Sequence, residues 1–258
     1  MNSISGKRVV ITGGGSGIGE DLAQGFAKAG ASVVVGARRA ETLKAVADNI
    51  NDSGGKAYPI SVDVTDLLQV EQFIERSKDA LGGIDILINN AGIAQSAKFA
   101  THPDELWHQT IAVNLTGVYY VTKAVVPAML EQKWGRIIMI ASVASKIGGR
   151  YIGAYNASKH GVLGLTRSLA VELAPHITTN AICPAYVDTP MTDATIENIT
   201  SRTGMSREEA VGTLVERSPQ GRLVQCAEIT ALALYLASEV GGGINGQGIN
   251  VDGGIVMS

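Results

Sequence analysis

The stretch "RVVITGGGSGIGEDLAQGFAKAG", residues 8–30, decides how this chain is read. It opens with an apolar, β-branched run, "RVVIT" (8–12), that reads as a buried strand. The glycine turn "TGGGSGIG" (12–19) follows, and "EDLAQGFAKAG" continues as a helix. A glycine-rich turn between a strand and a helix is the setting that dinucleotide phosphates require. Gly13 permits the tight turn, Gly17 lets the backbone approach a pyrophosphate, and Gly19 allows helix and strand to pack closely. The helix N-terminus then offers free N–H groups and a favourable dipole. S-adenosylmethionine enzymes place glycine loops in the same position, so the turn alone leaves both readings open.

The alternation of strand and helix continues along the chain. Further strands are expected at 32–36, 57–64, 84–90, 135–142, 177–183 and 247–253. Helices are expected from Glu41 to about Ile50 and around 66–81, 104–132, 153–174 and 226–238. Strands that are apolar on both faces and are each followed by a helix imply a parallel sheet covered on both sides. With no internal repeat or linker, residues 1–258 are read as one α/β domain, a doubly wound (Rossmann) seven-stranded parallel sheet. The one long, polar, weakly patterned segment is 188–220, a candidate lid that is partly helical.

Hydrophobic residues make up 45% of the chain and charged residues 17%, which supports a substantial core. The net charge of −3 comes without any basic block, and nucleic acid is not an expected partner. No apolar run approaches the roughly 18–20 residues that cross a bilayer. The start runs almost directly into a strand, and no signal peptide is expected. Cys183 and Cys226 lie far apart and read as free thiols in a reducing compartment, so a cytoplasmic protein is expected. His102, His108, His160 and His176 show no metal-ligand spacing, and no metal is expected.

The end of the second strand bears on cofactor choice. A carboxylate there accepts the ribose hydroxyls of NAD, whereas an arginine binds the 2′-phosphate of NADP. The text is "VVVGARRAETL", with Ala37 where the acid would stand and Arg38 and Arg39 after it. NADP(H) is the favoured cofactor and NAD(H) the alternative. Asp63 and Val64, after the third strand, are placed to hold the adenine edge.

"RYIGAYNASKHG" (150–161) holds two tyrosines and a lysine. Tyr155 has Lys159 four positions on, the same face of a helix, with Cβ atoms about 5–6 Å apart. Tyr151 has no such partner.

Taken together, "TGGGSGIG", "NNAG" (89–92), Asn114 in "VNLTG", Ser142 in "IASVAS" and "YNASK" (155–159) resemble the short-chain dehydrogenase/reductase superfamily. Within it, "CPAYVDTPMT" and "GQGINVDGG" are similar to β-ketoacyl-carrier-protein reductases, polyketide ketoreductases and secondary-alcohol dehydrogenases. The resemblance implies reversible NADP(H)-dependent reduction of a ketone or 3-oxoacyl group to a secondary alcohol by a homotetramer. The alternatives are an NAD-dependent secondary-alcohol dehydrogenase and a non-catalytic nucleotide sensor.

By that resemblance Tyr155 is the general acid/base, Lys159 its electrostatic partner, Ser142 the carbonyl-oxygen ligand and Asn114 the anchor of a proton-relay water; Tyr155 and Lys159 also belong to the cofactor site, where the lysine holds the nicotinamide ribose. A tyrosine must fall from a pKa near 10 towards about 7 to exchange protons at neutral pH, roughly 4 kcal/mol. One ammonium at about 5 Å, at an effective dielectric near 20, supplies roughly 3 kcal/mol. The resemblance also assigns Gly15, Ser16 and Ile18 in the glycine turn to the cofactor. Asn90, Ala91 and Gly92 after the fourth strand join them, with Pro184, Val187 and Thr189 after the sixth. Ala185 departs from the family's usual glycine. Gln95, Tyr151 and Tyr186 flank the catalytic face as candidate substrate contacts. Two-fold pairing of helices through Val118, Tyr119, Val126 and Leu163 would build the tetramer.

Overall fold

Val9, Val10 and Ile11 are wholly buried, with successive side chains entering two different cores. That is the mark of a strand covered on both faces. In the computed structural model, which describes residues 4–257, they lie in β1 (Arg8–Thr12), an interior strand of a seven-stranded sheet. The other strands are β2 (Ser32–Ala37), β3 (Lys56–Ser61), β4 (Ile86–Asn89), β5 (Gly135–Ile140), β6 (Ile177–Pro184) and β7 (Gly248–Val251). All pairings are parallel, in the order β3-β2-β1-β4-β5-β6-β7. The order reverses direction between β1 and β4, and ligands of such sheets bind at the carboxyl ends of the strands beside that point.

One face of the sheet is covered by α1 (Gly17–Lys28), α2 (Ala40–Asp52) and α9 (Cys226–Ala237). The other carries α3 (Leu67–Leu81), α5 (Gly117–Glu131) and α6 (Gly153–Glu172). The first and last of these helices in the chain are fitted together. Thr230 Oγ1 of α9 donates to Asp21 Oδ2 of α1 at 2.5 Å, and a Cβ on Gly25 would lie 2.3 Å from Thr230 Cγ2.

Two differences from the sequence expectations have local causes. β3 stops at Ser61 rather than Val64 because Asp63 Oδ1 accepts from Thr65 N and Thr65 Oγ1 and turns the chain. The helix expected over 104–132 is α4 (Asp104–Ile111) and α5 joined by a π turn, Ala112–Thr116. The polar segment 188–220 is partly helical, as expected, and forms α7 (Pro190–Thr203) and α8 (Arg207–Val215). Thr189 caps the first; a reciprocal Ser206–Glu209 capping box starts the second.

The helix faces also correct one expectation. Val118 and Leu163 are 7% and 3% exposed and belong to the monomer's own core, so neither is free to pair with another copy. Tyr119 is 45% exposed and Val126 is partly buried.

Candidate active site

The site forms where β1, β4, β5 and β6 end. Thr12, the last residue of β1, is buried, and its Oγ1 accepts from the backbone N–H groups of Asn90 and Ala91 at 3.1 and 3.2 Å. Asn90 Nδ2 donates back to the carbonyls of Thr12 and Gly13. The glycine turn is thereby tied to the segment following β4. Gly13 and Gly17 have φ of +68° and +55°, the left-handed region in which glycine is unstrained. A Cβ on Gly19 would lie 2.1 Å from the Gly13 carbonyl oxygen, so the close packing expected of that residue is present. Gly15 and Ile18 are half-buried in this turn and Ser16, before α1, is exposed.

Arg38 and Arg39 follow β2 with exposed side chains, and neither makes an ion pair among the described residues. Their backbones are fixed: Ser61 Oγ donates to the Arg38 carbonyl and Thr42 Oγ1 to that of Arg39. Val64 is buried against Gly117, where a Cβ would lie 2.8 Å from Val64 Cγ2. Asp63 is half-buried and occupied in its turn.

On the other side of the switch point, Ser142 extends from β5 and its Oγ donates weakly to the Pro184 carbonyl at 3.4 Å. α6 brings Tyr155 and Lys159 to the same place, with Lys159 Nζ 5.6 Å from the centre of the Tyr155 ring. Asn114, on the π turn, is fully buried and clasps the chain after β4. Its Oδ1 accepts from Ile93 N at 2.8 Å and its Nδ2 donates to Ile93 O at 2.9 Å. At Gly92 a Cβ would sit 3.4 Å from Asn114 Oδ1 and 3.8 Å from Lys159 Nζ, so these residues converge on one spot.

The electrostatics differ from the expectation of a phenol lowered by its lysine. Burial pushes the Tyr155 phenol up; the hydroxyl of Ser142 pulls it down as a hydrogen-bonding neighbour, and Tyr186 adds a further upward push. Burial also lowers Lys159 to about 8. The ammonium donates to the Ile140 carbonyl at 2.8 Å, which holds it beside the phenol. Tyr155 is half-buried and Lys159 buried, and the packing around them favours the neutral form of both groups. Burial raises the Cys183 thiol as well, which suits a buried structural cysteine rather than a nucleophile.

The remaining residues rim the cleft. Thr189 starts α7 against the glycine turn: a Cβ on Gly17 would lie 3.2 Å from Thr189 Cγ2. Val187 is buried and bridges to Val224. Ala185 donates its N–H to the Val251 carbonyl at 3.2 Å with no positive φ, so the departure from glycine leaves the backbone unstrained. Gln95, Tyr151 and Tyr186 are exposed at the mouth. Tyr151 has φ +67°, and its carbonyl accepts from Ala97 N, tying together the two loops that carry Gln95 and Tyr151.

Sequence reasoning passed over Thr12, although it begins the glycine motif, and Asn156, which sits inside "YNASK". Asn156 Nδ2 donates to the carbonyls of Ala144 and Ile147, and its Oδ1 accepts from Gly149 N. Those bonds hold the loop after Ser142 against α6. Among the described residues no cluster of His, Cys, Asp and Glu could hold a metal, and no helix is long and apolar enough to cross a membrane.

The model of the short chain dehydrogenase family matches residues 7–200. The chain belongs to the short-chain dehydrogenase family. This member is 40% identical to an uncharacterized oxidoreductase of Bacillus subtilis over 95% of its own length and 96% of the relative's. It is 37% identical to the 3-oxoacyl-[acyl-carrier-protein] reductase of Thermotoga maritima, over 98% of this chain and 99% of that one. Among solved structures, a variant of actinorhodin polyketide ketoreductase with NADPH superposes over the whole of both chains, with a TM-score of 0.94 and 37% identity. The dehydrogenase assignment makes the chain an oxidoreductase acting between carbonyl and alcohol groups, with a nicotinamide dinucleotide as cofactor.

Proposed function

We propose that this dehydrogenase is an NADP(H)-dependent ketoreductase that converts a ketone or 3-oxoacyl group to a secondary alcohol. The observation that carries the reading is geometric: the Tyr155 phenol has the Ser142 hydroxyl as a hydrogen-bonding neighbour and the Lys159 ammonium 5.6 Å from its ring centre. A phenol is protonated at neutral pH and can donate its proton to a developing alkoxide, the role that carbonyl reduction demands, with the ammonium there to stabilise the phenolate left behind.

The chain's residues fit the cofactor. Gly13 and Gly17 make the left-handed turn before α1 and Gly19 lets that helix pack onto it, and Arg38 and Arg39 present guanidinium groups past β2 that pair with no carboxylate among the described residues. Asn90, Ala91 and Gly92 would line one wall, and Pro184, Val187 and Thr189 another. Arg38 would bind a 2′-phosphate through charge-assisted hydrogen bonds, which Ala37 does nothing to repel. A bound nicotinamide would supply or accept the hydride.

The other steps fall to the protein. Ser142 and Tyr155 hold the substrate's carbonyl oxygen, where negative charge develops. Tyr155 delivers its proton to that oxygen, and the Lys159 ammonium stabilises the phenolate left behind. Asn114 holds the path by which the proton is restored. Gln95, Tyr151 and Tyr186 shape the entrance, and α7 and α8 form its lid. The working unit would be a cytoplasmic homotetramer, supported by the free thiols and by exposed Tyr119 on α5.

The test is a set of initial rates with NADPH and NADH over ketones, free 3-oxoacids and 3-oxoacyl thioesters. Turnover should be fastest with NADPH and a 3-oxo substrate. Nucleotide binding without turnover on any of them would favour a sensor instead.

A further inference from the structure

One hydroxyl beside the catalytic set has no part in the proposed chemistry, yet it touches two members of that set. Ser158 lies on α6 between Tyr155 and Lys159 and is fully buried, as is Asn114. Its Oγ donates to the Tyr155 carbonyl at 2.8 Å and accepts from Asn114 Nδ2 at 3.2 Å. The contact needs α6 and the π turn to approach closely. Gly161 allows that approach, since a Cβ there would lie 2.7 Å from Leu115 Cδ2, next to Asn114.

Among the described residues the Asn114 amide is otherwise held only by Ile93, through one bond given and one received. Those two bonds decide which way round the amide sits, because a flip would set donor against donor. They also form an axis about which the amide could swing. The second Nδ2 hydrogen, given to Ser158, is a third point off that axis. A π turn widens the local ladder to i→i+5 bonds, and the Asn114 side chain ties this one to the chain after β4.

We propose that Ser158 is a positioning residue that locks Asn114 and its π turn against the Tyr155 end of α6. The assignment rests on the reading of Asn114 as part of the proton path. Ser158 meets neither substrate nor cofactor. It acts through Asn114, setting where that path reaches the phenol.

The test is a double-mutant cycle on kcat at saturating cofactor, using Ser158→Ala, Asn114→Ala and the pair. Ser158→Ala should lower kcat about tenfold, the scale of one hydrogen bond. The KM for cofactor should stay unchanged and the solvent deuterium isotope effect on kcat should rise, as proton delivery becomes limiting. The pair should be no slower than Asn114→Ala alone. If the two losses multiply, or the isotope effect stays at the wild-type value, Ser158 does not act through Asn114. If Asn114→Ala turns over like wild type, the reading of Asn114 itself fails and the assignment falls with it. Should Ser158→Ala not fold, Ser158→Cys, which keeps the size and weakens the bond, should show a smaller loss that Asn114→Ala again abolishes.

Discussion

Replacing Lys159 with methionine keeps the length of the side chain and removes its charge. Lys159 Nζ stands 5.6 Å from the centre of the Tyr155 ring. At an effective dielectric near 20, a unit charge at that distance stabilises a full phenolate by about 3 kcal/mol. If the phenolate is about half developed in the transition state, about 1.5 kcal/mol is lost, and a later transition state loses up to the whole. Lys159→Met should therefore slow ketone reduction by about tenfold to a hundredfold at neutral pH. The assay is kcat at saturating NADPH, with cofactor affinity followed separately by nucleotide fluorescence. The pH profile carries the second half of the prediction. Lys159 is lowered by burial to about 8, so it is charged below that pH and loses its proton above it. The wild-type rate of reduction should fall as pH rises through about 8, and the methionine variant should lack that step. A variant with wild-type kcat, or one that keeps the same step, would refute the role of the ammonium.

Tyr155→Phe should lower kcat at least about a hundredfold, the lower end for general acid/base catalysis, with cofactor binding little changed; Tyr151→Phe should be far milder. Arg38→Ala should raise the KM for NADPH by roughly one to two orders of magnitude and leave NADH alone, and Ala37→Asp should swing preference towards NADH. A wild type that prefers NADH and ignores the loss of Arg38 would end the NADP assignment. At the opposite end of the sheet Arg8 grips Asp85 through two side-chain bonds, of 2.9 and 2.6 Å. Burial alone would raise that carboxyl, but the bonds from Arg8 outweigh it and hold Asp85 below the usual carboxylate range. Its contribution is present above the unfolded pKa of about 3.9 and is lost as pH falls through the lower folded value. Asp85→Asn should cost about 3 kcal/mol at pH 7 by denaturant titration, and the gap to wild type should narrow in acid below about pH 4.

The sheet was legible because its strands are short β-branched runs bounded by turn residues, and both faces of β1 are buried. The Tyr155–Lys159 pair was legible because four residues bring a helix back to the same face. The π turn at Ala112–Thr116 was not, since one extra residue in a helix leaves no mark in composition or period. Nor was the clasp of Asn114 on Ile93, which joins positions 21 residues apart through a backbone that any sequence would supply. The helices of 188–220 had a readable signal, Ser206 with Glu209 three residues on, but their weak apolar patterning masked it. The upward push on Tyr155 comes from the packing around the phenol, which spacing along α6 cannot report.

The bond between Thr230 and Asp21 joins α9 to α1 across 209 positions of sequence. During synthesis the glycine turn leaves the ribosome early, but the surface that backs its helix arrives only with residues 226–237. Leu22 and Phe26 of α1 pack in the same core as Ile229 and Ala233 of α9, so until then that core is incomplete. Contacts so far apart along the chain are slow to form, and their exposed partners are prone to stick to other chains in the meantime. Nascent chains that stop before α9 should therefore be clients for chaperones rather than half-made enzymes. The nucleotide cleft closes around its first helix only when nearly all of the protein has been made.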